Sequence, residues 1–170
     1  MKKIIAVLLA VMMVLSLAAC GNQTPASSGS AQEAAPTTVA GILYKDFKDM
    51  LAADSSLSAQ AIADELLKNE IIAFSGATMP VEPGYLTGFG ETEITGFSEG
   101  VMFAPMIGSI PFVGYVFTLA DGTDAAAFEQ LLSDNADLRW NICTEAEEKV
   151  VGSVGNKVFF VMSPMEFEEQ

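Results

Sequence analysis

Histidine is absent from this 170-residue chain, and arginine occurs once, at Arg139. Without histidine the chain cannot contain a Ser-His-Asp triad, a Cys-His pair or a histidine-ligated metal site. Its two cysteines, Cys20 and Cys143, are too few for a thiolate zinc site. Because the sequence contains no other recognisable catalytic or cofactor-binding motif, we expect a protein that is not an enzyme and that uses no cofactor or metal.

Positive charge is scarce throughout the chain, which has 22 acidic residues against 8 basic ones. Such an acidic surface repels nucleic acid and anionic lipid headgroups. We therefore expect no nucleic-acid partner, whereas a basic protein or divalent cations remain open. The acidic clusters at 134–137 and 145–148 lack the ligand spacing of an EF-hand loop, and solvated acidic faces are the ordinary interpretation. Arg139 is expected to pair with a nearby acid, stack on Trp140 or clamp an anionic ligand.

The N-terminal 21 residues have the layout of an export signal. Lys2 and Lys3 precede an uncharged apolar run of 14 residues at 4–17. As a helix this run would be about 21 Å long, against about 30 Å for the hydrocarbon core of a bilayer. It is therefore short for a transmembrane span and typical of a signal-peptide core.

The residues that follow, Leu17-Ala18-Ala19-Cys20 and then Gly21, resemble the lipobox of bacterial lipoproteins. This resemblance implies cleavage between Ala19 and Cys20 and a diacylglyceryl group on the Cys20 sulfur. It implies a protein anchored to the cell membrane by lipid, on the extracytoplasmic face. An ordinary secretory leader, with Cys20 incidental, is the alternative.

Composition divides the chain into four parts. Residues 1–19 are expected to be the lipoprotein signal peptide, and 20–40, rich in small polar residues, the lipidated cysteine and a flexible tether. Residues 41–164 are long enough for one globular domain with a core. Residues 165–170 form an acidic tail that we expect to be frayed.

Apolar periodicity within the domain predicts helices over 42–53, from Ser58 onward and over 124–134. The uncharged stretch 101–120 is long enough to cross a membrane, but Pro105 and Pro111 would break a helix. We interpret it as parts of two buried strands, 93–104 and 111–119. A hairpin follows, with strands 149–154 and 157–162 around Gly155-Asn156. The order of these helices and strands along the chain predicts an α+β fold of two layers, with the helices on one face of an antiparallel sheet of about four strands.

This order, the tether and the turn Leu119-Ala120-Asp121-Gly122-Thr123-Asp124 resemble small clostridial-type lipoproteins that contain an α-β-β-α-β-β domain of unknown function. The resemblance implies a fold and a location but no active-site residues.

Two local features bear on binding. Tyr85, Leu86 and Phe89 lie within the Gly/Pro-rich stretch 75–92, which we expect to be a loop. They either fold back onto the core or form a partner surface. Cys143 lies in an apolar context and is expected to be a buried small hydrophobe.

The function expected from these observations is a non-catalytic binding or accessory module for another envelope protein, held at the membrane through lipid on Cys20. Two alternatives remain open. One is a small-ligand or cation binder linked to transport. The other is a hydrolase that uses two carboxylates in a cleft.

Overall fold

The computed structural model describes residues 35–167, so the expected signal peptide, the lipobox and most of the tether lie outside the described residues. The described elements, in chain order, are α1 (Val39–Ala53), α2 (Ala59–Leu66), β1 (Gly76–Val81), β2 (Gly84–Tyr85), β3 (Glu93–Ile94), β4 (Phe97–Pro105), β5 (Val113–Leu119), α3 (Ala125–Asn135), β6 (Glu148–Val154) and β7 (Lys157–Ser163).

Five of the strands form one antiparallel sheet in the order β1-β4-β5-β7-β6, and β2 pairs with β3 in a small separate ladder. The uncharged stretch that we interpreted as strands lies largely in β4 and β5, with Phe103 opposite Gly114. The C-terminal hairpin has the expected two-residue turn, with Val154 opposite Lys157. No helix among residues 35–167 is long and apolar enough to cross a membrane.

One face of the sheet is covered by α1 and α2. Phe47 of α1 packs against Phe159 of β7, with ring centroids 5.5 Å apart. From α2, Ile62 and Leu66 join the same buried cluster, which also contains Val116 of β5. Full burial of each of these side chains contributes about 2 kcal/mol to folding.

The opposite face of the sheet is covered by α3. Phe117 of β5 and Val158 of β7 point away from α1, because successive side chains alternate across a strand. The Phe117 ring packs edge-on against Phe128 of α3 at 5.3 Å, and Leu132 of α3 is fully buried beside them. Helices therefore lie on both faces of the sheet.

The α+β fold with an antiparallel sheet is confirmed, and two details of the expectation are corrected. The helices are not confined to one face of the sheet. The side chains of β5 and β7 are largely apolar on both faces, so each face must be buried against helices. The main sheet has five strands where about four were expected, and the additional one is β1, which forms within the stretch expected to be a loop. Pro80 is tolerated there because β1 is an edge strand that pairs only with β4.

The helix starts follow local capping chemistry. The side chains of Thr38, Ser58 and Asp124 accept hydrogen bonds from backbone N–H groups in the first turns of α1, α2 and α3. The start of α1 lies before the expected domain boundary at residue 41, since Val39 and Ala40 are fully buried.

The C-terminal residues to 167 are also tied to the domain rather than frayed. Val39 N–H donates to the Met165 carbonyl oxygen at 2.9 Å, and the Phe167 ring lies 5.5 Å from that of Phe74. The start of α1 and the end of the described chain therefore meet at one place on the domain.

Candidate interaction surface

The three residues singled out as a partner surface do not act together. Phe89 is 1% exposed, and its ring lies 4.8 Å from that of Phe160 in the core. Leu86 is half-buried against the same cluster, whereas Tyr85 is 68% exposed. Of the two alternatives, folding back onto the core therefore holds for Phe89, and the three residues do not form one exposed surface.

Two features direct Phe89 inward. Gly88 and Gly90 on either side have φ angles of 95° and 57°, which glycine adopts without strain. The Tyr115 hydroxyl donates a hydrogen bond to the Thr87 carbonyl oxygen at 2.9 Å, which fastens the loop to β5. Burial of Tyr115 raises the pKa of its hydroxyl, which stays protonated and remains a donor.

A different group of apolar side chains is exposed at one end of the sheet. Ile142 is fully exposed, and Met106, Ile107 and Met165 are 73%, 69% and 49% exposed. We call these four residues the apolar end surface. A hydrophobic side chain exposed singly is common, but several large ones exposed on segments at the same end of a sheet mark a candidate interaction site.

Backbone and side-chain hydrogen bonds bring these segments together. Asn141 Nδ2 donates to the Gly108 carbonyl oxygen at 2.6 Å, which joins the segment carrying Ile142 to the β4–β5 loop. Met165 N–H donates to Glu147 Oε2 at 2.8 Å, which holds the C-terminal segment against the start of β6. The end surface is therefore built by non-local contacts.

A groove of about 830 Å³ adjoins this surface and shares Met165 with it. We call it the acidic groove. Glu145, Glu147 and Glu166 line it, and no lysine or arginine does. Its other lining residues are Ala73, Ser109, Ile110, Pro111, Thr144, Pro164, Met165 and Phe167.

The three carboxylates of the groove differ in the ion pairs and hydrogen bonds that they form. Glu145 pairs with Arg139 at 3.2 Å, as expected for Arg139, but both side chains are more than half exposed and water screens the pair. Glu147 accepts the Met165 N–H bond. Glu166 is exposed and has no ion pair among the described residues. The groove therefore keeps a net negative charge.

Thr144 in the wall of the groove carries an unusual hydroxyl. Its Oγ1 is buried and has no hydrogen-bond partner among the described residues. Leaving a hydroxyl buried and unpaired costs about 1–3 kcal/mol. The domain therefore bears a small loss of stability at this position.

The described residues include few basic side chains to offset the acidic surface, and each of these contacts another group of the domain. Ion pairs with exposed acids are formed by Lys45, Lys68 and Arg139. Lys48 lies over an aromatic ring, and Lys149 and Lys157 donate hydrogen bonds.

Cys143 is exposed, so the expectation of a buried thiol is wrong. The neighbouring Ile142 is fully exposed as well, so this segment lies outside the core.

The described residues contain no group of three or more acidic or cysteine side chains placed to hold a metal ion. Two acids of the cluster at 145–148 instead bind the two ends of the described domain: Glu148 Oε1 accepts from Ala40 N–H at 3.0 Å, and Glu147 accepts from Met165 N–H at 2.8 Å. Comparisons with protein-family models, with curated proteins and with solved structures found no match.

Proposed function

We propose that this protein is a lipid-anchored lipoprotein on the extracytoplasmic face of the membrane, and that it binds another envelope protein through the apolar end surface. The observation that carries the binding role is that Met106, Ile107, Ile142 and Met165 expose large apolar side chains on segments at the same end of the sheet. No catalytic step is part of this proposal.

The anchor is supported by the lipobox at Leu17–Cys20. One acyl chain gives only reversible membrane binding, whereas two chains on one cysteine give a lasting anchor. The stretch between Cys20 and the buried Val39 is short, which would keep the domain close to the membrane. The partner is therefore expected at the same membrane.

The position of the first helix agrees with this arrangement. Because Val39 N–H is hydrogen bonded to the Met165 carbonyl oxygen, the chain enters the domain beside one residue of the end surface. A partner held at the membrane would then meet the domain near its attachment point.

The binding role is tested by site-specific photocrosslinking of the full-length protein in its native host. A photoreactive amino acid replaces Ile107 or Ile142 in two test variants, and exposed Glu91 or Tyr85 in two controls. We expect the same envelope protein to be captured from both test positions and from neither control. Capture of the same species from all four positions, or from none, would reject the end surface as the binding site.

The anchor is tested separately by Cys20→Ser. Loss of the lipidated cysteine should release the protein from washed membranes into the medium or the periplasm. Retention of the variant on the membrane would show that the protein is held there by something other than lipid on Cys20.

A further inference from the structure

We infer that the acidic groove receives an extended segment of the partner in which a lysine or arginine is flanked by apolar side chains. This inference rests on the proposed function and names the chemistry that the partner presents. It concerns the groove beside the end surface, whereas the proposed function rests on the end surface itself.

Charge complementarity is the first argument. Glu145, Glu147 and Glu166 line the groove without a lining lysine or arginine, and Glu166 has no ion pair among the described residues. Clefts lined by charge of one sign focus the field and concentrate ligands of the opposite sign. A cationic side chain can reach these carboxylates and form charge-assisted hydrogen bonds with them.

The apolar part of the wall is the second argument. Ile110, Pro111 and Phe167 line the same groove, and Met165 continues it onto the apolar end surface. A small hydrophilic cation would leave this apolar wall and the neighbouring surface uncovered. A peptide segment with apolar side chains beside its cation would cover both, and the volume of about 830 Å³ lies within the range of ligand sites.

The Thr144 hydroxyl is the third argument. It is buried in the wall without a partner among residues 35–167, and buried polar groups in native proteins are nearly always hydrogen bonded. An extended segment brings backbone N–H and carbonyl groups, either of which can pair with a hydroxyl. Because Thr144 Oγ1 is covered by the domain, such a bond requires the hydroxyl to turn toward the groove.

The test uses the full-length protein in detergent and a displayed library of short random peptides. Selected peptides should be enriched in lysine or arginine next to apolar residues, relative to the unselected library. Synthetic versions are then measured by fluorescence anisotropy against the parent protein and its variants. Spermidine is measured as a competitor, and displacement by spermidine at the affinity of the peptides would show that charge alone is bound.

Two charge variants are expected to change peptide affinity in opposite directions. Glu166→Gln should weaken peptide binding by about tenfold, since it removes the acceptor of a charge-assisted hydrogen bond. Arg139→Gln should strengthen binding by about threefold, because it frees Glu145 from its ion pair. Glu91→Gln, a matched loss of an exposed carboxylate elsewhere, should leave binding unchanged. A groove that recognises only apolar groups would respond to none of the three.

Thr144→Val gives an independent readout, since it should weaken binding without unfolding the domain. Peptides selected without any preference for cations, or binding equal in parent, Glu166→Gln and Arg139→Gln proteins, would overturn the inference. In that event, a partner still captured from Ile107 and Ile142 would leave the proposed function standing. Failure of both crosslinks would reject the proposed function itself.

Discussion

Replacement of Glu99 by glutamine should destabilise the domain at neutral pH and have little effect in acid. The Glu99 carboxylate of β4 accepts hydrogen bonds from Ala59 N–H at 3.0 Å and Gln60 N–H at 3.4 Å, at the start of α2. It also accepts one from the Thr118 hydroxyl at 3.0 Å, which in turn accepts from Lys157 Nζ at 2.7 Å. The carboxylate therefore joins α2 to two strands of the sheet.

The charge of Glu99 determines the pH dependence. Partial burial opposes ionisation, but the hydrogen bonds from Ala59, Thr118 and Gln60 and the charge of Lys157 outweigh it, so the pKa of Glu99 lies below its ordinary value of 4.5. A lowered pKa stabilises the fold above the ordinary pKa, and this contribution is lost as the pH falls through the lower folded-state pKa. The loss therefore begins below about pH 4.5.

The magnitude follows from the hydrogen bonds. Bonds to a charged acceptor contribute about 1.5–3 kcal/mol in a buried site, and screening at this partly exposed carboxylate reduces the net loss to about 1 kcal/mol. For a domain of this size the melting temperature should fall by about 4 °C. Urea unfolding of parent and Glu99→Gln proteins, followed by circular dichroism from neutral pH into acid, measures the difference directly.

The control for this measurement is Glu91→Gln, which removes an exposed carboxylate that has no hydrogen bond among the described residues. Its unfolding free energy should match the parent at every pH. A Glu99→Gln difference that stays constant into acid would refute the ionised-carboxylate reasoning, and no difference at neutral pH would refute the contacts themselves.

Three further predictions concern packing and exposure. Gly114→Ala should destabilise the domain by about 1–3 kcal/mol in urea unfolding, because its new methyl group would overlap the buried Phe103 ring; Gly108→Ala, in open space, is the control, and an equal effect of both would contradict this. Thr144→Val should stabilise the domain by about 1 kcal/mol, since it removes an unpaired buried hydroxyl; destabilisation would reveal a hidden partner. A thiol reagent should label Cys143 in the folded protein without denaturant, and labelling that needs unfolding would contradict its exposure.

Local chemistry in the sequence was enough to predict much of the fold. Ser58 at the start of α2 and the Gly155-Asn156 turn between β6 and β7 act over a few residues, and both occur as predicted. Strand β1 was missed because its glycine and proline oppose a strand locally, and it is stabilised by pairing with β4, whose partner residues lie 19 to 29 positions further along the chain.

The candidate site could not be predicted from local patterns. Ile107, Ile142 and Met165 are far apart in the chain, and non-local hydrogen bonds hold their segments at the same end of the sheet: Asn141 bonds to Gly108, and Met165 bonds to Glu147. The burial of Phe89 could not be predicted from local patterns either. It depends on the path of the chain through Gly88 and Gly90 and on aromatic partners in other strands. Hydrophobicity alone gave no signal to separate Phe89 from Ile142.

The most direct measurement of the binding role places the photocrosslinker at 142 in an Ile107→Asp background. Ile107 is 69% exposed, so a carboxylate there should leave the fold intact, as circular dichroism can verify, while placing charge in the apolar end surface. If this surface binds the partner, the yield of the crosslinked partner should fall by about tenfold or more, consistent with loss of a central apolar contact. An undiminished yield from 142 in this background would contradict the account.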